Sequence, residues 1–302
     1  MRVWDAEVVV DEALARRLLR QFPELRVDSL HPIAEGWDRA IWLVNDEWAF
    51  GFPRRAVVVP GIEREIRWLP LLAPLLPLPI PRPELVGRPA DDYPWPFFGS
   101  RFLPGREAAE AGLDDAGRLA VALELAAFLR RLHSAEVAAA VGVDALPLDG
   151  NARGDMTTRV PLTREALREL EAAGLWRPSA SLERLLDEAE GLPPSRERPV
   201  VAHGDLHFRH LLVDGGRASG VIDWIDLCRA DPAIDLQLVW TFLPPDGREA
   251  FLAEYGGATD EQLCRARVIA LSLCAVLAQY AHEEGLPLVE REALDGLERA
   301  TI

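Results

Sequence analysis

The chain has 302 residues with 33 Lys+Arg against 49 Asp+Glu, a formal charge of −16, which argues against a nucleic-acid partner because a phosphate backbone asks for a basic face. A hydrophobic share of 49% with 27% charged residues excludes a disordered chain and suits one large domain or two lobes. Every one of the 33 cations is arginine, so no mechanism that needs a lysine is open to it. The opening Met-Arg-Val-Trp-Asp runs into an amphipathic stretch without a long apolar segment, which predicts no signal or transit peptide. Cys228, Cys264 and Cys274 show no metal-binding spacing and suit a reducing compartment without disulfides. The apolar runs at 69–80 and 269–277 are broken by proline or too short to span a bilayer, so a cytoplasmic protein with no membrane partner is expected.

In chain order, Leu14, Leu18, Leu19 and Phe22 share one face of an opening amphipathic helix over 11–22. The stretch 30–52 reads as short strands: a turn at Glu35-Gly36-Trp37-Asp38, a strand at 40–44, a tight turn at Asn45-Asp46-Glu47 and a strand at 48–52. A helical period covers 62–76. Pro77, Pro79, Pro81 and Pro83 then force an extended segment before strands near Leu85 and over 95–103. Pro104-Gly105 is the strongest break, and after it short strands give way to long helices, which divides the chain into lobes at 1–103 and 104–302. Helices are predicted at 114–133, 164–173 and 181–190, strands at 200–202, 211–213 and 220–222 around the turn Asp214-Gly215-Gly216, and helices again from Pro232 onward.

The densest polar cluster is His203-Gly204-Asp205-Leu206-His207-Phe208-Arg209-His210, with Asp223 following the strand residues Val221-Ile222. Two carboxylates at neighbouring strand ends supply what magnesium-dependent phosphoryl transfer needs: one to orient or deprotonate an alcohol, one to hold the metal that bridges phosphate oxygens. A single His or Asp at a strand end is ordinarily a turn or cap residue. His203, His207 and His210 also have the composition of a three-ligand zinc site, although Gly204 and the β-branched flanks disfavour the helix that an i, i+4 pair would use.

The segments His203-Gly204-Asp205-Leu206-His207, Val221-Ile222-Asp223-Trp224 and Asp231-Pro232-Ala233-Ile234-Asp235-Leu236 resemble the signatures of the aminoglycoside/macrolide phosphotransferase family, with Phe102-Leu103-Pro104-Gly105 and residues 128–133 extending the likeness over nearly the whole chain. The resemblance implies an α+β, two-lobed protein-kinase-like fold, with a strand-rich N-lobe and a mainly helical C-lobe. It implies Asp205 as the catalytic aspartate and Asp223 as a magnesium ligand. Position 210, an asparagine in aminoglycoside kinases, is His210 here, as in the macrolide-kinase branch; an imidazole is a softer metal ligand than magnesium prefers.

On the nucleotide side the resemblance puts Gly51 where a cation is expected and Glu65 at the helix glutamate that pairs with it, leaving Arg54 or Arg55 to swing in or to remain a surface charge. Glu35-Gly36-Trp37-Asp38 corresponds to the phosphate-covering turn, and backbone groups of Arg101, Phe102 and Leu103 to the nucleobase contact. Asp231 and Asp235 read as helix caps, Asp226 as a surface carboxylate or an attractor for a cationic amine of the acceptor, and Trp240, Phe242, Phe251 and Tyr255 as core. The expected reaction is transfer of the γ-phosphoryl of ATP or GTP, with Mg2+, to a hydroxyl of an antibiotic-like, cationic small molecule. A non-catalytic kinase-like binding protein and a housekeeping amino-alcohol or sugar kinase are the competing readings.

Overall fold

A computed structural model describes residues 6–302; the N-terminal start read for leader sequence lies outside the described residues. The chain divides into two compact units, the first comprising the described residues up to Leu75 with Pro79–Leu103, the second Leu76–Leu78 with Pro104–Ile302.

The first unit holds α1 (Glu12–Leu19), β1 (Leu30–Glu35), β2 (Arg39–Val44), β3 (Trp48–Pro53), α2 (Val59–Leu72), β4 (Leu85–Gly87) and β5 (Phe97–Arg101). Its strands form one antiparallel sheet in the order β1-β2-β3-β5-β4. The β2–β3 turn forms because Asn45 and Asp46 both accept the left-handed conformation, each with φ of 55°, that a tight hairpin demands. Alternation along β2 and β3 then sends Trp42, Val44, Phe50 and Phe52 to one face, where they pack with α1 and with Tyr93, Trp95 and Phe97. Arg39, Ile41 and Gly51 fall on the opposite face by the same alternation. Helix α2 starts earlier than its apolar period indicates, because Pro60 occupies its first turn, where a missing N–H costs nothing.

The second unit contains β6 (Arg106–Glu107), α3 (Asp115–Leu132), α4 (Ala135–Val141), α5 (Met156–Ala172), α6 (Ala180–Glu190), β7 (Val200–Ala202), β8 (Leu211–Asp214), β9 (Arg217–Val221), β10 (Cys228–Ala230), α7 (Ala233–Leu236), α8 (Leu238–Thr241), α9 (Pro245–Tyr255), α10 (Asp260–Glu284) and α11 (Pro287–Thr301). Asp114 caps α3 and Asp155 caps α5, each accepting a backbone N–H of the first turn. The α5 cap places that helix eight residues ahead of the predicted start at 164; Pro161 inside it masks the helical signal. Helix α10 also corrects the sequence reading of 269–277: the helix runs 25 residues and is long and apolar enough to cross a membrane by length and composition. Its apolar residues are largely buried against α5, α7 and α11, the setting of a core helix. β7 pairs with β10, and β8 with β6 and β9, so the polar loop 203–210 is slung between two small sheets.

Candidate active site

The loop after β7 is fixed from beneath by Asp235. This fully buried carboxylate accepts the backbone N–H of His203 at 2.8 Å and of Gly204 at 3.0 Å, and sits 3.1 Å from His133 Nε2. A His133 ring with its proton on Nε2 donates to Asp235 and accepts the Tyr255 hydroxyl at Nδ1, 2.8 Å away. Burial works against the charge of Asp235, yet the His133 hydrogen bond and the His203 and Gly204 neighbourhood hold the carboxyl below its usual range. Asp235 is thus a clamp on the loop, in place of the helix cap expected from sequence. Asp231 accepts the N–H of Ala233, the first residue of α7, at 2.8 Å.

Gly204 has φ of 90°, and a Cβ there would lie 2.3 Å from the Asp226 carbonyl, so only glycine lets the loop pass. His203 is spent on structure: its Nδ1 accepts the Asp205 N–H at 3.2 Å and its Nε2 donates to the Ile222 carbonyl at 2.9 Å. Full burial pushes its pKa down. The three-histidine zinc arrangement is therefore not assembled. The groups that converge are Asp205, His207 and His210, one ligand-type atom from each lying within 4.8 Å of the others.

Within that cluster the ring protons are assigned by partners. His207 Nδ1 accepts the Arg209 N–H at 3.2 Å, which turns Nε2–H toward Asp205 Oδ2 at 3.7 Å. Burial pushes His207 down to about 4. His210 Nδ1 donates to the Asp205 carbonyl at 2.8 Å, which leaves the Nε2 lone pair facing Asp223 Oδ2 at 3.3 Å. Asp223 itself adopts φ of 64°, a strained left-handed conformation for a residue with a side chain. It is held there on both flanks, by the Ile222 N–H donating to the His210 carbonyl at 2.9 Å and by fully buried Trp224, whose Nε1 donates to the Val221 carbonyl at 3.0 Å.

The nitrogen lone pair and carboxylate oxygen at 3.3 Å fit a divalent metal, since adjacent ligands of an octahedral magnesium with bonds of about 2.1 Å lie about 3 Å apart. Asp205 lies alongside with 28% of its side chain exposed. Desolvation opposes its ionisation, but His207, Arg153 and His210 together hold it far below the usual carboxylate range.

Arg153 is a residue that sequence reasoning missed. It stands in the turn before α5, which the buried Arg265 of α10 supports by donating to the Gly154 carbonyl at 3.2 Å. Arg153 Nη2 lies 2.6 Å from Asp226 and 3.4 Å from Asp205, and Nη1 lies 3.1 Å from Asp149. Asp226, read as a surface charge or an amine attractor, therefore holds an intramolecular cation.

In the first unit, Glu65 of α2 is fully buried and its cation is Arg39 of β2, with Nη1 at 2.6 Å from Oε2. Arg54 donates to the Gly36 carbonyl at 2.6 Å, and Arg55 pairs with Asp38. The Arg101 guanidinium stacks on Trp48 at 4.0 Å and pairs with Glu47. The Phe102 N–H donates to the Glu47 carbonyl at 2.8 Å, so of the backbone stretch 101–103 assigned to a nucleobase, this donor is occupied within the protein. Leu103 closes the first unit.

A strand-rich unit followed by a helical one, with an aspartate loop and a second aspartate at the next strand end, defines the kinase-like class. Residues 29–269 match the phosphotransferase enzyme family, and the chain belongs to that family. It is 29% identical over 169 residues to an aminoglycoside 3'-phosphotransferase of Escherichia coli; the match spans 53% of this chain and 58%, little more than half, of that relative. Its fold is similar to the GDP and kanamycin complex of APH(2")-IIia, with a TM-score of 0.70, 22% identity, and 96% of this chain and 98% of the other covered. It is also similar to the macrolide 2'-phosphotransferase MphH of Brachybacterium faecium, with a TM-score of 0.61, 22% identity, and coverage of 95% and 98%.

Proposed function

We propose that this protein is a small-molecule kinase that transfers the γ-phosphoryl of ATP or GTP to a hydroxyl of an antibiotic-like acceptor. The observation that carries this reading is the division of labour in one loop: His210 donates from Nδ1 to the Asp205 carbonyl and aims Nε2 at Asp223, while the Asp205 carboxylate stands next to that pair. His210 and Asp223 would hold magnesium, which would supply positive charge to offset that of the donor's phosphates. Asp205, so strongly favoured as the anion, is a weak base. Its part is to accept a hydrogen bond from the acceptor hydroxyl and aim the oxygen at phosphorus, taking the proton late, as the new P–O bond forms and the bond to the leaving nucleoside diphosphate breaks. His207 Nε2–H faces Asp205 Oδ2 at 3.7 Å, an electrostatic contact that favours the carboxylate form. Family membership and the aminoglycoside and macrolide enzymes among its relatives support hydroxylated antibiotics as the acceptor class.

The test is a thermal-shift titration with Mg·ATP and Mg·GTP, repeated without magnesium, followed by a screen of aminoglycosides and macrolides for phosphorylated product. A ligand at a hundredfold over its dissociation constant adds roughly 2.7 kcal/mol, which is easily seen. Asp205→Ala is expected to cut turnover about a hundredfold or more with an unchanged ligand-free melting point. Absence of any magnesium-dependent shift would replace this reading with that of a binding protein.

A further inference from the structure

We infer that Arg39 is the cation that grips the donor's phosphates, delivered from β2 across the bare backbone of Gly51 to the place where a β3 side chain would start. The inference rests on the kinase reading above and names the residue of its nucleotide side.

The sheet register makes the delivery possible. Ile41 stands directly opposite Gly51, and Arg39 opposite Pro53, so Arg39 and Gly51 are diagonal neighbours on one face, a separation that a long side chain spans. That face is turned away from the aromatic core formed by Trp42, Phe50 and Phe52. A Cβ built on Gly51 would lie 3.4 Å from Arg39 Cδ, 3.4 Å from Ile41 Cδ1 and 3.9 Å from Arg39 Nη1. The arginine stem thus lies over the glycine, and its guanidinium ends above the point from which a residue-51 side chain would rise.

The head group is fixed there by Glu65, at 2.6 Å, with the Arg39 side chain only 10% exposed and that of Glu65 1% exposed. A buried carboxylate needs a cation, and this pair is the lysine-free form of the strand–helix ion pair on which kinase-like phosphate binding depends. A guanidinium carries five N–H donors in a planar fork, so a bond to Glu65 does not exhaust its capacity for phosphate oxygens. The glycine at position 51 acquires a reason: a Cβ there would already touch the Arg39 stem at van der Waals distance, so a longer side chain would compete with the arginine for the same space.

Arg39→Gln keeps the stem over Gly51 and an amide for Glu65 but removes the charge. It is expected to weaken Mg·ATP and Mg·GTP binding about tenfold or more, while adenosine and guanosine stay within about twofold of wild type; because the charge opposite buried Glu65 is removed, the ligand-free melting point should fall, and affinities are compared at a temperature at which both proteins are folded. A swap provides the second arm. Gly51→Arg alone should lower triphosphate affinity by crowding the Arg39 stem, whereas Gly51→Arg placed in Arg39→Ala should restore it to within about fivefold of wild type. Wild-type triphosphate affinity in Arg39→Gln, an equal loss of nucleoside and triphosphate binding, or failure of the swap to restore affinity in a protein that melts as wild type would each overturn the inference. If the wild-type protein itself binds neither magnesium nucleotide, the kinase reading falls and this inference with it; if it binds them and the variants behave as wild type, this inference falls alone.

Discussion

Arg153 bridges Asp226 and Asp205 through a single nitrogen, Nη2, at 2.6 and 3.4 Å. Asp149 meets Nη1 of the same guanidinium, so three carboxylates share one largely buried cation. Arg153→Ala leaves those carboxylates facing one another, and urea unfolding should show a loss of about 3 kcal/mol. Adding Asp226→Ala relieves part of that repulsion, so the double variant should be more stable than the sum of the two single losses implies. A strictly additive result would mean that Arg153 and Asp226 are not coupled. In acceptor assays Arg153→Ala should shift preference toward polycationic acceptors, whose amines can take the vacated partners.

The proposed pairing of His210 and Asp223 around a metal makes a prediction about ion preference. Imidazole suits manganese better than magnesium, whereas an amide oxygen suits magnesium. His210→Asn should therefore lower the ratio of turnover with Mn2+ to turnover with Mg2+ relative to wild type. Asp223→Ala should abolish the magnesium dependence of nucleotide binding, and addition of a chelator should have no further effect on that variant. An unaltered metal ratio in His210→Asn would remove His210 from the metal shell.

Asp235 predicts a pH signature. Its folded pKa lies below the ordinary carboxylate value near 4, so the stability it contributes is fully present above about pH 4 and is lost as the pH falls through the lower folded value. Asp235→Asn, which surrenders one acceptor and the charge opposite His133, should cost about 2–4 kcal/mol at pH 7. The gap between the two proteins should narrow as the pH drops below about 4. A gap that stays constant into strong acid would mean that the carboxylate charge contributes nothing to the clamp.

The site was most legible where its residues adjoin in sequence. Asp205, His210 and Asp223 stand out because a loop and the end of a hairpin bring them together within nineteen positions. Arg39, Arg153 and Asp235 were not legible in the same way. Arg39 reaches Glu65 across 26 positions through a strand register, Arg153 reaches Asp205 across 52, and Asp235 reaches His203 across 32. Arg39 and Arg153 are lone charges with no local pattern, and Asp235, though part of a recognisable segment, reads there as a helix cap; only tertiary packing supplies the partners. The hairpins and long helices followed their periods, whereas α2 and α5 began early because a proline near the start hides the first turn from a periodicity count.

The stem of Arg39 lying across Gly51 also decides how the protein meets covalent chemistry. Nucleotide-shaped acylating reagents label kinase-like proteins by transferring their acyl group to a side-chain amine beside the phosphates. A guanidinium is delocalised and stays protonated, so it offers no lone pair to such a reagent, and the sequence holds no lysine anywhere to take its place. On that reading, profiling by amine acylation would pass over this protein, while arginine-selective dicarbonyls are the reagents matched to its cations.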